Sequence, residues 1–185
     1  MQTKSPVEVS ESLKTVHCFS CESSQAIVSD VIHVNCEKCG KPIDLSDYSI
    51  ETLYSRGIQT NGEVFISPRG KYQGPPLRAR RLVVQGIVEG TFECDELVLG
   101  KVAHLAGKGR AKSVIISAGA RLRFLDFSQC VKTSSLRIEG HFEVELLKLK
   151  GEVIVGKSGV LVGNVEVSRF QVEKGGNFEG KLSVG

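Results

Sequence analysis

Four cysteines near the start of the chain are arranged to bind a metal ion. They form two Cys-x-x-Cys pairs, Cys18 with Cys21 and Cys36 with Cys39, and fourteen residues separate the pairs. A tight turn inside each pair points both sulfurs the same way, and this spacing is typical of zinc sites. Four thiolates give Zn²⁺ a closed tetrahedral shell that leaves no position for water or substrate. We therefore predict a structural zinc site and not a catalytic one.

The residues around the cysteines indicate a small β module. Residues 26–34 are rich in β-branched side chains and suit a hairpin, so the segment resembles a zinc ribbon. His17 is adjacent to Cys18 and is expected to lie outside the ligand set. A module of this size cannot fold by burial alone, and the metal would supply its folding free energy. The alternative is that the four cysteines are simply buried or redox-active.

Length and composition limit the classes of protein that this chain can belong to. Its 185 residues suffice for one domain plus a small module. The formal net charge of +3 is too small to indicate a nucleic-acid or membrane partner, so such a partner would need a local patch. No apolar run is long enough to cross a bilayer, and residues 1–14 are polar without a signal-peptide core. The cytoplasm is the expected compartment.

A short phrase, glycine-x-apolar-x-glycine, recurs along the last two-thirds of the chain. It occupies residues 70–74, 86–90, 159–163 and 176–180, and each copy follows an apolar-x-apolar strand. The first apolar residues of these strands and of similar ones are Val64, Leu82, Leu97, Val114, Leu136, Val153 and Phe170, with spacings of 18, 15, 17, 22, 17 and 17 residues. Such a period predicts seven coils of a parallel β-solenoid, each with three short strands and with glycines at the corners.

Further positions support the solenoid over its competitors. A second apolar position follows the first glycine, at Tyr72, Val88, Leu122, Phe142, Val160 and Phe178. The spacing near 17 residues and the same order of apolar positions and glycines in several coils argue against an antiparallel sandwich or barrel. The long spacing after Val114 predicts an inserted loop at residues 124–130, and we favour a bulge packed on itself over a contact point for a partner.

The repeats resemble those of the bactofilins, a family of bacterial polymer-forming cytoskeletal proteins. The resemblance is clearest at residues 58–66, 82–90 and 153–180, and it covers roughly residues 57–185. It implies a right-handed, triangular β-helix that associates end to end into filaments, and a scaffold that positions other proteins near the cell envelope. The family usually has flexible tails that attach to membranes. Here a zinc-ribbon-like module stands in place of the first tail and the second tail is almost missing, so membrane attachment is not expected.

These observations divide the chain into four parts. We predict a polar tail at 1–14, the zinc-ribbon-like module at 15–43, a linker at 44–57 and the bactofilin-like β-helix at 58–185. The linker is compatible with a short helix or with an irregular first coil.

The predicted function is that of a structural scaffold that self-associates through the end of its β-helix. No capping segment follows the last coil in this sequence, so its interior residues are expected to form the contact. They are Phe170, Val172, Phe178, Leu182 and Val184. The zinc module would recruit a protein cargo or cap the other end.

A recognition module for nucleic acid or protein is the alternative function. Its candidate basic patch consists of Arg69, Lys71, Arg78, Arg80 and Arg81. The mixed charge of the zinc module and the lack of interleaved aromatic residues favour an ordinary solvated loop. An enzyme is not expected, because the four histidines are scattered and no acidic cluster is visible.

Overall fold

The apolar pairs that repeat along the sequence stack on one another in a parallel β-solenoid. The computed structural model describes residues 13–29 and 31–185, and most of the predicted tail 1–14 lies outside the described residues. Each coil of the solenoid runs through three faces, and strands of successive coils pair in parallel along the axis. In the second coil, for example, face 1 contains residues 64–66, face 2 residues 71–73 and face 3 residues 77–80. We call residues 48–184 the rod.

In the part of the chain that the structure describes, four short strands precede the rod and form two antiparallel pairs, β1 (Leu13–His17) with β2 (Ser24–Val28) and β3 (His33–Asn35) with β4 (Pro42–Asp44). The first half of the rod contains β5 (Tyr48–Ile50), β6 (Leu53–Tyr54), β7 (Gln59–Ile66), β8 (Lys71–Gln73), β9 (Leu77–Val84), β10 (Ile87–Glu89), β11 (Thr91–Leu99) and β12 (His104–Leu105). The second half contains β13 (Lys108–Ile116), β14 (Arg121–Asp126), α1 (Phe127–Cys130), β15 (Val131–Lys132), β16 (Ser135–Ile138), β17 (His141–Val155), β18 (Val160–Val172) and β19 (Asn177–Val184).

Face 1 of the rod carries all seven sequence markers in one column. Each marker lies opposite the next one in the strand register, from Val64 opposite Leu82 to Val153 opposite Phe170. One further pair precedes them, because Tyr48 lies opposite Val64. The predicted solenoid of coils of about 17 residues is therefore confirmed, and it has eight coils where seven were predicted.

The segment 44–57 contributes strands to the rod. Strand β5 pairs with β7, and β6 pairs with β8, both in parallel. Of the two alternatives for this segment, the structure shows the first coil. The rod consequently begins at Tyr48, ten residues before the predicted boundary at residue 58.

The glycine phrase marks a corner between faces 2 and 3. The second glycine has a positive φ in three of the four copies: +109° at Gly90, +141° at Gly163 and +144° at Gly180. Residues with a Cβ atom rarely adopt this conformation. A Cβ on Gly163 would also lie 1.7 Å from the carbonyl oxygen of Val144 in the neighbouring coil. Glycine is thus needed both for the turn and for the close stacking of coils.

One residue of face 2 was assigned wrongly from the sequence. The register places Leu161 between Phe142 and Phe178, so Leu161 and not Val160 points into the rod. Leu161 is fully buried, whereas Val160 is partly exposed. The error arose because residues 160–162 are all apolar, so alternation gives no signal there.

The insertion at residues 124–130 is packed on itself, as the favoured interpretation predicted, although it forms the end of β14 and the single turn α1 and not a loop. Phe127 is 1% exposed, and its ring meets those of Phe124 and Phe142 at centroid distances of 5.1 and 5.3 Å. Asp126 caps the turn by accepting a hydrogen bond from the backbone N–H of Ser128. Within the described residues, no helix has the length and apolar character needed to span a bilayer.

Candidate metal centre and rod end

The four predicted ligand sulfurs converge on one point. The Sγ atoms of Cys18, Cys21, Cys36 and Cys39 all lie within 4.8 Å of one another. The Sγ atoms of Cys18 and Cys39 are 3.6 Å apart, and so are those of Cys21 and Cys36. A tetrahedral zinc site with Zn–S bonds of about 2.3 Å requires sulfur–sulfur distances of about 3.8 Å. The donor set and its spacing therefore fit a tetrahedral thiolate-bound metal such as zinc.

Two similar turns hold these sulfurs. The backbone N–H of Glu22 donates to the carbonyl oxygen of Cys18, and that of Gly40 donates to the carbonyl oxygen of Cys36, both at 2.8 Å. Glu22 and Gly40 each follow the second cysteine of a pair and have positive φ values of 58° and 69°. The left-handed residue reverses the chain so that both thiols of a pair face the same point.

His17 is not positioned as a ligand. Its Nδ1 atom lies 2.8 Å from the hydroxyl of Ser24 on the partner strand. The side chain thus bonds across the β1–β2 pair and points away from the sulfur cluster. This agrees with its expected place outside the ligand set.

Three of the four thiols have shifted pKa values when no metal is bound, and the hydroxyl of Ser23 lowers the pKa of Cys21. The hydroxyl of Ser23 lies 3.3 Å from the sulfur of Cys36 and, together with the backbone N–H of Cys39, lowers the pKa of Cys36 to about 6. The backbone N–H of Lys41 acts to lower the pKa of Cys39, but desolvation and the three neighbouring thiols raise it to about 11. Close thiols resist simultaneous ionisation, and a bound cation removes this conflict by favouring all four thiolates.

The remaining cysteines differ from these four. Cys94 is buried in the rod, and desolvation raises its pKa to about 12, which is typical of an inert core thiol. Cys130 is the last residue of α1 and is half-buried. Both are most simply small core or surface residues.

The four-cysteine module, residues 13–45 without Asp30, has a core of its own. Six buried residues form it, separate from the cluster inside the rod, and two of the six are the ligands Cys18 and Cys36. So small a cluster contributes little folding free energy without the metal. The module is attached to the rod by hydrogen bonds, of which those of one asparagine are the most direct.

Asn61 connects the two parts of the chain. Its Oδ1 atom accepts from the backbone N–H of His17, and its Nδ2 atom donates to the carbonyl oxygen of His17, both at 2.8 Å. Asn61 is 8% exposed, and its own carbonyl oxygen accepts from Nε of Arg80. Because Cys18 follows His17 directly, this clasp fixes one metal ligand relative to the rod. Asn61 could be recognised in the sequence only as part of a turn-forming Asn-Gly pair.

Replacing Asn61 with alanine is expected to loosen the module without unfolding the rod. The substitution removes two hydrogen bonds and leaves two backbone groups of His17 without partners. This loss lowers the stability of the attached module by about 1–3 kcal/mol. Hydrogen exchange of residues 13–20, measured by mass spectrometry, should become at least about tenfold faster, while strand β17 keeps its protection.

Asn164→Ala is the matched control for this substitution. Asn164 also donates to a backbone carbonyl, that of Glu145 at 2.9 Å, but it lies on the rod. Exchange of the module should not change in this variant. Equal exchange at residues 13–20 in wild type and Asn61→Ala would show that the clasp does not hold the module.

The predicted assembly residues lie together on the last coil. Phe170, Phe178, Leu182 and Val184 stack in register on Val153, Leu161, Val165 and Val167 of the preceding coil. The rings of Phe170 and Phe178 meet edge to face at 4.9 Å. Their outer sides are not covered by any described residue, and Val172, Leu182 and Val184 are 41%, 43% and 57% exposed.

The two ends of the rod differ in how well their interior is covered. Ile50 and Val172 occupy the same position of face 1 in the first and last coils. Ile50 is 2% exposed, whereas Val172 is 41% exposed. The described residues therefore place a continuous apolar surface at the last coil and not at the first.

The five residues of the candidate basic patch do not form one free positive surface. Lys71 pairs with Glu89 at 2.8 Å, and Arg81 bridges Glu63 and Glu96. Arg69 lies exposed in the turn after β7. Arg78 and Arg80 belong to β9, on the face that lies beside the module.

Comparison with protein families relates this architecture to a known one. The family model described as "Bactofilin: Polymer-forming cytoskeletal" matches residues 31–123, which is half of the chain. The chain belongs to the bactofilin family. The match includes the first coils of the rod, and parallel pairing of successive coils continues beyond it to β19. Searches of curated proteins and of solved structures gave no match. The family description is that of a structural, polymer-forming protein.

Proposed function

We propose that this protein is a cytoskeletal scaffold that self-associates end to end through its last coil and carries a structural zinc ion in its four-cysteine module. The observation that carries the proposal is the apolar surface of the last coil. Its residues occupy the positions whose side chains fill the rod interior in all the preceding coils. A second copy would continue the stack.

Both backbone and side chains support such a contact. Strand β19 pairs with β18 along one edge, and its other edge pairs with no described strand. An unpaired edge readily accepts another strand. Burying the exposed parts of Val172, Leu182 and Val184 in the contact would contribute about 1 kcal/mol for each side chain to the free energy of association. A contact between two like ends is isologous, so each copy would contribute the same residues.

Because the interior of the first coil is covered, the contact at the last coil limits which assembly, dimer or filament, can form. If the last coil alone associates, the assembly is a dimer with a module at each end. A filament requires a second contact at the first coil, where Ile50 is already covered. The module would then act as an end cap, a recruitment site for a protein cargo, or both.

The metal and the compartment follow from the same chemistry. Four unpaired cysteines directed at one point bind metal only as reduced thiolates, which favours the cytoplasm over an oxidising compartment. We propose zinc because four sulfur ligands in tetrahedral spacing are typical of its structural sites. A position near the cell envelope would follow from the cargo and not from a membrane segment.

The proposal is tested by sizing and metal analysis of one purified sample. We expect sedimentation velocity to show species larger than the 20.1 kDa monomer, and negative-stain microscopy to show end-to-end objects. Zinc quantification should give one ion per chain. A strictly monomeric protein over the accessible concentration range would contradict the scaffold function, and a zinc-free preparation that keeps the module folded would contradict the metal site.

A further inference from the structure

A cleft of 720 Å³ opens between the four-cysteine module and face 3 of the rod. Phe19 and Glu22 of the module line one wall, and Asn61 lies in its lining. The other wall consists of outward-pointing side chains from successive coils. We call this space the module–rod cleft.

The rod wall of the cleft is strongly positive. It presents five cations, Arg78, Arg80, Arg110, Lys112 and Lys132, and two carboxylates, Glu93 and Asp95. The rod wall thus has a surplus of three positive charges, and Glu22 on the opposite wall reduces that of the whole cleft to two. A local positive patch therefore exists although the formal net charge of the chain is only +3.

The carboxylates of the wall do not neutralise all of its cations. Glu93 is shared by Arg78 and Arg110, at 3.5 and 3.9 Å, and Asp95 pairs with Lys112 at 2.6 Å. Among the described residues, neither Arg80 nor Lys132 has an ion pair. Arg80 uses only Nε, in its hydrogen bond to Asn61, so the other two guanidinium nitrogens are available to a ligand.

The spacing of these cations matches an extended chain. Arg78, Glu93, Arg110 and Lys132 form one column in register across successive coils. Arg78 and Lys132 are thus three coil spacings apart, about 14 Å, and Arg80 lies two residues from Arg78 on the same strand, so the same axial distance separates Arg80 from Lys132. About four residues of an extended peptide cover this distance. Phe19 on the opposite wall is half-buried and offers an apolar contact to the same segment.

We propose that the module–rod cleft binds an extended acidic peptide segment, with its carboxylates at Arg80 and Lys132 and an apolar side chain against Phe19. This inference rests on the proposed scaffold function, because it assigns the segment to the protein that the scaffold recruits. Exposed cationic sites attract such a segment by electrostatic complementarity, which sets specificity more than affinity.

The charge pattern favours a peptide over a nucleic acid. A nucleic-acid strand carries a phosphate at every nucleotide, so its backbone would pass close to Glu22, Glu93 and Asp95. A peptide can place isolated carboxylates opposite Arg80 and Lys132 and neutral residues opposite the acids. Phe19 is also the single aromatic side chain that lines the described cleft, whereas stacking platforms for single strands use several.

The test measures peptide binding to the full zinc-loaded chain by fluorescence anisotropy. The probe is a fluorescein-labelled peptide of alternating glutamate and leucine, with a lysine–leucine peptide and oligo(dT) as comparison ligands. Lys132→Glu reverses an exposed charge in the cleft. Lys157→Glu is the matched control, because it makes the same charge change at an exposed turn outside the cleft.

We expect the glutamate–leucine peptide to bind, Lys132→Glu to weaken its binding about tenfold, and Lys157→Glu to change it by less than about twofold. Equal effects of both substitutions, equal binding of the lysine–leucine peptide, or stronger binding of oligo(dT) would overturn the inference. Sedimentation of the same samples separates the two proposals. In the wild-type protein, absence of peptide binding with intact assembly contradicts the cleft, and absence of assembly with intact peptide binding contradicts the end contact.

Discussion

Phe178→Asp is expected to abolish end-to-end association while the rod stays folded. Phe178 belongs to the apolar surface of the last coil, where it packs edge to face on Phe170 and lies in register with Leu161 of the preceding coil. A carboxylate there would be buried without a partner in the contact, which costs several kcal/mol. The association constant should fall at least about a hundredfold, or roughly 3 kcal/mol. Sedimentation velocity over a range of protein concentrations measures this change.

A second variant separates loss of contact from damage to the coil. Val184 is 57% exposed, so Val184→Asp removes little packing within one chain but still places a charge in the contact. Ser183→Asp is the control, because Ser183 is exposed and alternates with the inward-pointing Leu182 and Val184. Wild-type association in both Phe178→Asp and Val184→Asp, with Ser183→Asp unchanged, would show that the last coil is not the contact.

The rod could be predicted from the sequence because every coil must bury apolar side chains at equivalent positions. On face 1 these residues lie in register from coil to coil, and a polar residue at such a position would disrupt the core, so the apolar pattern repeats along the sequence. The first coil remained one of two alternatives because Tyr48–Ile50 has no glycine phrase beside it. At residues 160–162 the pattern was present but ambiguous, since three apolar residues follow one another.

The cleft was only partly predictable. Arg78 and Arg80 were singled out, but Arg110 and Lys132 were not. A signal was available: residues 78, 93, 110 and 132 have spacings of 15, 17 and 22, the same as the spacings between four consecutive markers of face 1. The contribution of Phe19 and the clasp by Asn61 could not be predicted, because both depend on how the module packs beside the rod. Residues of the module and residues of the rod do not belong to one sequence repeat, so no periodic pattern shows which of them meet.

Cys36→Ser is expected to remove the zinc ion and unfold the four-cysteine module. The remaining three thiolates cannot close a tetrahedral site, and a structural zinc ion contributes about 10 kcal/mol of apparent folding free energy to small modules. With Cys36 replaced, five buried apolar residues remain in the module core, too few to keep it folded. Zinc per chain should fall from one to near zero, and hydrogen exchange of residues 13–45 should approach that of an unfolded segment.

The rod should not respond to this change, since its core is separate from that of the module. Its strands β9 to β18 should therefore keep their exchange protection in Cys36→Ser. Cys130→Ser is the matched control, because Cys130 is half-buried in the rod and should not affect zinc content. Acidification should act like the substitution, because protons compete with the metal for thiolates and the affinity falls with pH. A Cys36→Ser protein that retains one zinc ion and a protected module would show that the four sulfurs converge for another reason.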